Sequence, residues 1–224
     1  MQGSTVLTDD VARFVRLMAP ETDDVLREME TANRERGFPM VGPEVGGALS
    51  LLARLVGARR VFEFGSGLGY SGYWFARTLP EDGLVVLTEE DESELETARE
   101  CFERGGLAGR AAFEAGDAHD TFATYEGPFD VVLIDHHKER YAEAFEAARE
   151  KLAPGGVVIA DNAMRLDGNS LLGELNAFLD GGAVSDDPGV AGIEAYLDTV
   201  RTDPAFETVA LPLGSGITVS VKRR

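Results

Sequence analysis

Apolar residues recur along this chain in two rhythms, and the change between them falls near residue 60. Before that point the period is helical. In "TDDVARFVRLM", residues 8–18, Val11, Phe14, Val15 and Met18 share one helical face behind a Thr N-cap and two first-turn acids. A second helical pattern covers about residues 22–36, and Gly37 closes it. The turn-rich junction "FPMVGPEVGG" follows, and helical spacing resumes through "EVGGALSLLARLVGA". Residues 1–37 thus read as a helical appendage that covers a core edge or pairs with another chain. Residues 38–224 read as the main domain.

From residue 60 short β-rich runs alternate with helical ones. "RVFEF" precedes "SGYWFARTL", "LVVLT" precedes "ESELETARECFERG", and "AAFEA" precedes a short helix near "HDTFATY". "FDVVLID" then precedes "KERYAEAFEAAREKL", and "GGVVIAD" precedes "SLLGELNAFLD". Near-continuous apolar strands alternating with helices predict an α/β fold, its parallel sheet covered on both faces. A last helix at about 190–201 leads into "FETVALPLGSGITVSVKR", two strands joined by "PLGSG". These form an antiparallel hairpin at the sheet edge and bring the strand count to seven.

Composition narrows the setting. The 224 residues suit one α/β domain with a short addition. No apolar run is long enough for a membrane span, and the N-terminus lacks the basic start and apolar run of a secretory signal. The single cysteine, Cys101, lies mid-helix and fits a reducing cytoplasm. Forty acidic residues against 21 basic ones give a net charge of −19. Such a surface repels nucleic acid and anionic membranes. Acids dispersed over the whole chain, with lysine scarce, match the composition of proteins from salt-loving organisms.

In open α/β sheets ligands bind beyond the carboxyl ends of the strands, so the residues there carry the functional signal. The first strand ends in "EFGSGLGYS". Gly65, Gly67 and Gly69 permit positive φ and close backbone approach, and the following helix start offers free N–H groups. The spacing is G-x-G-x-G rather than the G-x-G-x-x-G of dinucleotide sites. Glu63, just ahead of the loop, suits a cationic group such as an amine. Glu89 or Glu90, at the end of the second strand, can hold ribose hydroxyls. Asp117 can accept from an adenine amino group or cap the next helix, and His119 reads as an exposed helix histidine.

"VVLIDHHKERY" ends the fourth strand and "VVIADN" the fifth. Neighbouring strands lie about 5 Å apart, so Asp135, Asp161 and Asn162 can converge. Two carboxylates and an amide oxygen favour Mg²⁺ or Ca²⁺ over zinc. His136 and His137 point apart and read as walls rather than ligands. Lys138, three residues after Asp135, is placed to take a proton.

Together, "FEFGSGLGYS", "LTEED", "GDA", "LIDHHKERY" and "VIADNAM" resemble the cation-dependent, S-adenosylmethionine-dependent O-methyltransferases, including the catechol and caffeoyl-CoA enzymes. The likeness runs from about Phe38 to the C-terminus; its specific part is D-x-x-K with a later D-N. It implies a Rossmann-like class I methyltransferase fold and a methyl transfer from S-adenosylmethionine to a hydroxyl of a small phenolic or catechol-like acceptor. Met40, Val41, Glu63, Gly65, Gly67, Gly69 and Ser71 would hold the methionine part of the cofactor. Glu89, with Glu90 as the neighbouring alternative, would hold the ribose, and Asp117 would face the adenine. Asp135, Asp161 and Asn162 would bind Mg²⁺, or another divalent cation such as Mn²⁺ or Ca²⁺. Asp135 also counts among the cofactor-binding and catalytic residues, and Lys138 would be the general base. The family further implies a homodimer. A transfer-RNA methyltransferase and a non-catalytic nucleoside-binding module are the competing readings; the charge opposes the first and the intact Asp135, Lys138, Asp161 and Asn162 set opposes the second. The same set and the glycine spacing oppose a nicotinamide oxidoreductase.

Overall fold

In a computed structural model the chain is described over residues 8–37, 40–166 and 169–224. Three helices come first: α1 (Asp9–Met18), α2 (Asp24–Arg36) and α3 (Pro43–Leu55). Five parallel strands follow: β1 (Arg60–Phe64), β2 (Leu84–Glu89), β3 (Ala111–Ala115), β4 (Phe129–Ile134) and β5 (Leu152–Ala160). Helices α4 (Tyr70–Ala76), α5 (Glu92–Arg104), α6 (Ala118–Thr124) and α7 (Tyr141–Lys151) connect them. A two-residue hairpin, β6 (Arg165–Leu166) and β7 (Asn169–Ser170), precedes α8 (Leu172–Leu179) and α9 (Pro188–Thr202). Strand β8 (Phe206–Leu211) pairs antiparallel with β9 (Ile217–Lys222), which pairs antiparallel with β5. The seven-stranded order is β3-β2-β1-β4-β5-β9-β8.

The alternation of side chains along a strand explains the apolar runs. Val61, Val85, Leu87, Val131, Leu133, Val157 and Ile159 face α2 to α5 in one core. Phe62, Phe64, Val86, Val132, Ile134 and Val158 face α6, α7 and α9 in the other. Each strand is buried on both sides, so it needs apolar residues at odd and even positions alike. Leu26 and Met29 of α2 lie in the first core with β1 and α4. Cys101 is buried in α5.

Several details differ from the sequence reading. Thr8 precedes α1, yet its side chain makes no capping hydrogen bond. The expected apolar face of α1 points outward: Phe14 is 64% and Met18 70% exposed, while Ala12 is the buried residue. A single 3₁₀ turn, Lys138–Arg140, separates Asp135 from α7, which starts only at Tyr141. The β6–β7 hairpin carries no alternating signal and was not foreseen. Phe38 and Pro39, where the domain boundary and the family likeness begin, lie outside the described residues, as do residues 1–7 of the N-terminal stretch and residues 167–168 of the segment after Asn162. Among the described residues no helix is long and apolar enough to cross a membrane.

Candidate active site

The sheet order reverses between β1 and β4, because β1 connects outward to β2 whereas β4 connects outward to β5. That switch opens a crevice at the carboxyl ends. Register aligns four strand ends there. Phe64 pairs with Thr88 and Ile134, and Ile134 pairs with Ala160. The next residues of three of these strands, Gly65, Asp135 and Asp161, therefore stand side by side. Backbone bonds continue the ladder, with Asp135 N–H donating to Phe64 at 2.8 Å and Asp161 N–H to Ile134 at 3.2 Å.

Gly65, Gly67 and Gly69 all have positive φ, at 81°, 47° and 77°. At Gly65 a Cβ would also lie 2.6 Å from the Asp135 carbonyl oxygen, so only glycine lets the β1 and β4 ends approach this closely. Glu89 ties the loop to β2. One of its oxygens accepts from Gly67 N–H at 2.9 Å, and the other accepts from Glu90 N–H at 2.9 Å. Glu90 itself is exposed, 3.6 Å from His137. Of the two acids, Glu89 is the one that touches the glycine loop.

Glu63 is wholly buried. Ser71 donates to its Oε1, while Oε2 has no partner. Burial pushes this carboxyl up to about 8, with smaller contributions from Asp135 and Glu89 and an opposing one from the Ser71 bond. A buried carboxyl oxygen without a partner calls for an explanation, and a cationic ligand group could supply its missing partner. Val41 is buried beside this region's core, and Met40 packs partly buried against it, its sulfur 3.0 Å from the Asn33 amide nitrogen.

The second half of the crevice holds Asp135, Asp161 and Asn162. Asp135 Oδ1 accepts from Lys138 Nζ at 3.0 Å. Asp161 is buried and its Oδ1 lacks a partner. Burial, then the neighbouring Asp135 charge, push its carboxyl up to about 7. Asn162 has φ 57°, the one non-glycine residue with positive φ among those described. Asparagine is among the few non-glycine residues that adopt this left-handed conformation readily. Among the described residues no three His, Cys, Asp or Glu side chains are grouped to hold a metal. A cation here would depend on the Asn162 amide beside the two carboxylates, a hard oxygen set. The orphaned Asp161 oxygen fits that demand.

Asp117 caps α6, accepting from His119 N–H at 2.8 Å and Asp120 N–H at 3.0 Å, and it pairs with Arg140. These bonds lower its carboxyl to about 2. His119 is not the exposed helix histidine expected. Its side chain is 9% exposed, and its Nε2 lies 2.9 Å from Nε2 of His136. The sequence could not show this, because the partner sits 17 residues away on another strand end. His136 is pushed down to about 3 by burial, then by the neighbouring His119, Lys138 and Arg140, and burial pushes His119 down as well. His137 points the other way and is exposed, 65% by side chain. The sequence reading also passed over Tyr141, buried, with its oxygen 2.7 Å from Lys138 Nζ.

Comparison with known proteins follows from this geometry. Residues 18–223 match the O-methyltransferase family. The chain is 33% identical over 172 residues to a catechol O-methyltransferase of Niastella koreensis, covering 72% of this chain and 78% of that protein. An O-methyltransferase of Bacillus cereus, solved with SAH, superposes with a TM-score of 0.82 at 32% identity, covering 96% of this chain and 97% of that one. The O-methyltransferase TomG of Streptomyces achromogenes, involved in tomaymycin synthesis and solved with SAM, has a TM-score of 0.82 at 29% identity, with 96% of each chain covered.

Proposed function

Because this chain belongs to the O-methyltransferase family, we propose that it transfers a methyl group from S-adenosylmethionine to a hydroxyl of a small catechol-like or phenolic acceptor. The transfer depends on a divalent cation, Mg²⁺ or a similar ion, and uses Lys138 as base. The observation that carries this reading is the convergence of Asp135, Asp161 and Asn162 on two neighbouring strand ends, with Lys138 Nζ 3.0 Å from Asp135. Relatives such as the catechol O-methyltransferase of Niastella koreensis point to the acceptor class.

When bound, S-adenosylmethionine supplies an electrophilic methyl on a sulfonium. Glu63 and the loop of Gly65, Gly67 and Gly69 would receive its amino-acid part, Met40, Val41 and Ser71 would line it, and Glu89 would hold the ribose. Asp117, held by its cap and by Arg140, would stand at the adenine end. Asp135, Asp161 and Asn162 would hold the cation, which when bound supplies positive charge that favours an ionised acceptor oxygen. Lys138 removes the acceptor's proton at Nζ. The loop and the strand ends hold the two reactants in line, and alignment supplies much of the rate.

A homodimer belongs to the same reading. Phe14, Leu17 and Met18 of α1 and Leu51 and Leu55 of α3 are exposed apolar side chains, and α1 packs on α3. Replacing Phe14 and Leu17 by Glu should halve the mass seen by light scattering; an unchanged mass would end that role for α1. A cytoplasmic setting fits the lone, buried thiol of Cys101.

The experiment is transfer of labelled methyl from S-adenosylmethionine to catechol at high salt, with Mg²⁺ and then with EDTA. Lys138→Ala and Asp135→Ala run beside the wild type. The reading expects product that needs Mg²⁺ and falls about 100-fold or more in both variants. Undiminished turnover in EDTA or in Lys138→Ala would overturn the cation or the base.

A further inference from the structure

We infer that Tyr141 is a positioning residue that holds the Lys138 amine at the reacting end of the crevice. The inference rests on Lys138 being the base.

Lysine is a flexible four-carbon chain, and a base on such a chain is effective only when its nitrogen is held in place. This protein has three lysines. Two are fastened to backbone carbonyls. Lys151 Nζ donates to Phe122 and Tyr125, each at 2.7 Å, and Lys222 Nζ donates to Arg149 at 2.7 Å and Leu152 at 3.0 Å. Lys138 has instead two side-chain partners: Asp135 at 3.0 Å and the Tyr141 hydroxyl oxygen at 2.7 Å. Its nitrogen also lies 4.9 Å from the centre of the Tyr141 ring.

Tyr141 can act as a fixed point because its ring is enclosed by its neighbours. It is 1% exposed. The His136 ring stacks on it at 5.7 Å and 9°, and the Tyr196 ring meets it edge-on at 5.8 Å and 83°. Behind Lys138 the main chain is equally confined. At Gly192 of α9 a Cβ would lie 2.6 Å from Glu139 Cα, so the helix presses directly on the turn that carries the base. The lysine side chain is then held at its tip by Tyr141 together with Asp135.

The direction of the hydrogen bonds gives the arrangement its use. The Tyr141 hydroxyl donates to Asp135 Oδ1, at 3.4 Å, and its oxygen accepts from Lys138. With its own proton directed at Asp135, the hydroxyl is left as an acceptor and fixes the direction of one N–H of Lys138. The remaining directions about the nitrogen are thereby turned away from Tyr141 and Asp135, the orientation a base at this position would need. When Asp135 is engaged by another partner, the tyrosine oxygen still anchors the nitrogen.

The test compares wild type, Lys138→Ala, Tyr141→Phe and the double variant, each with Mg²⁺, S-adenosylmethionine and catechol. In parallel, acetic anhydride labels the cofactor-free proteins, and peptide mass spectrometry reads Lys138 against Lys151 and Lys222. Tyr141→Phe should lower kcat about 10- to 100-fold with both KM values within about twofold. It should add nothing in the Lys138→Ala background. Lys138 should acetylate faster in Tyr141→Phe while the other two lysines keep their rates. A wild-type kcat with an unchanged Lys138 labelling rate would overturn the inference, as would an equal loss of kcat in the Lys138→Ala background. Full turnover in Lys138→Ala would instead sink the base reading by itself, and the labelling rate would still decide whether Tyr141 holds the amine.

Discussion

On the proposed function, cofactor binding should expel a proton, with Glu63 as its source. Its carboxyl sits at about 8 rather than near 4.5 because it is buried without a partner for one oxygen. At pH 7 such a group is about nine-tenths protonated. A ligand amine delivered to Oε2 stabilises the ionised form and drives the proton off. The perturbation is worth about 5 kcal/mol as an upper bound, from the displacement of the carboxyl at 1.36 kcal/mol per pH unit. Stability follows the same sign. The raised value makes the neutral acid part of the fold, so its contribution is full below about 4.5 and is lost as pH rises through about 8.

Titration calorimetry at pH 7 in EDTA, repeated in buffers of different ionisation enthalpy, reads the protons released. The cofactor amine is itself mostly charged at this pH and offsets only about 0.1–0.2 of a proton. Net release should exceed about half a proton per S-adenosylmethionine bound. Methylthioadenosine lacks the amino-acid part and should release none. Glu63→Gln should release none with either ligand, and its unliganded melting temperature should vary less between pH 5 and 9 than that of the wild type. Zero release by wild type, or equal release with methylthioadenosine, would refute the assignment of the amine to Glu63.

Three further outcomes follow from the same structure. Asp161, raised to about 7 by burial and by Asp135, must be ionised to hold a cation; the rise in melting temperature produced by Mg²⁺ should shrink as pH falls from 8 to 6 and vanish in Asp161→Asn, and a pH-independent rise would count against that site. Asn162 stands at φ 57°, so Asn162→Gly should keep stability within about 0.5 kcal/mol while Asn162→Ala loses about 1–2 kcal/mol, measured by urea unfolding; equal losses in the two would remove the backbone argument. The net charge of −19 implies strong self-repulsion, so KCl near 1 M, where screening acts within about 3 Å, should raise the melting temperature, and a fall would contradict the salt-adapted reading.

The fold was legible because burial on both faces forces apolar residues into every strand position, and such runs stand out between helical patterns. "RVFEF" and "AAFEA" coincide with β1 and β3 residue for residue. The ends of strands were legible for the same reason: Glu63, Asp135 and Asp161 interrupt or terminate apolar runs where a charge has no structural purpose. What stayed hidden depends on contacts between distant segments. His119 and His136 meet only because α6 and β4 share one face. Tyr141 looked like an ordinary residue in the first turn of the helix read from Lys138. Its value comes from a 3₁₀ turn that swings Lys138 back over it, which no periodicity encodes. The outward face of α1 was misread for a related reason: amphipathic spacing reports that a face is apolar and leaves its partner unnamed.

Glu63 and Asp161 together give the site its character. Both are buried, both have an unpartnered oxygen, and both are raised toward neutrality chiefly by burial. A fold selected only for stability would replace them with apolar or amide groups of similar size. Here the unliganded protein holds two acids in a form that grows less stable as pH rises, and each lies where a cation would relieve it. On the proposed function, a sulfonium amino acid at one and a divalent ion at the other would carry the needed charge. Binding energy would then be built in as an unmet electrostatic demand at the strand ends. The combined variant Glu63→Gln/Asp161→Asn should melt higher than wild type without ligands at pH 8, and lose its stabilisation by both. A lower melting temperature would show that the acids serve the fold and would break this link between instability and function.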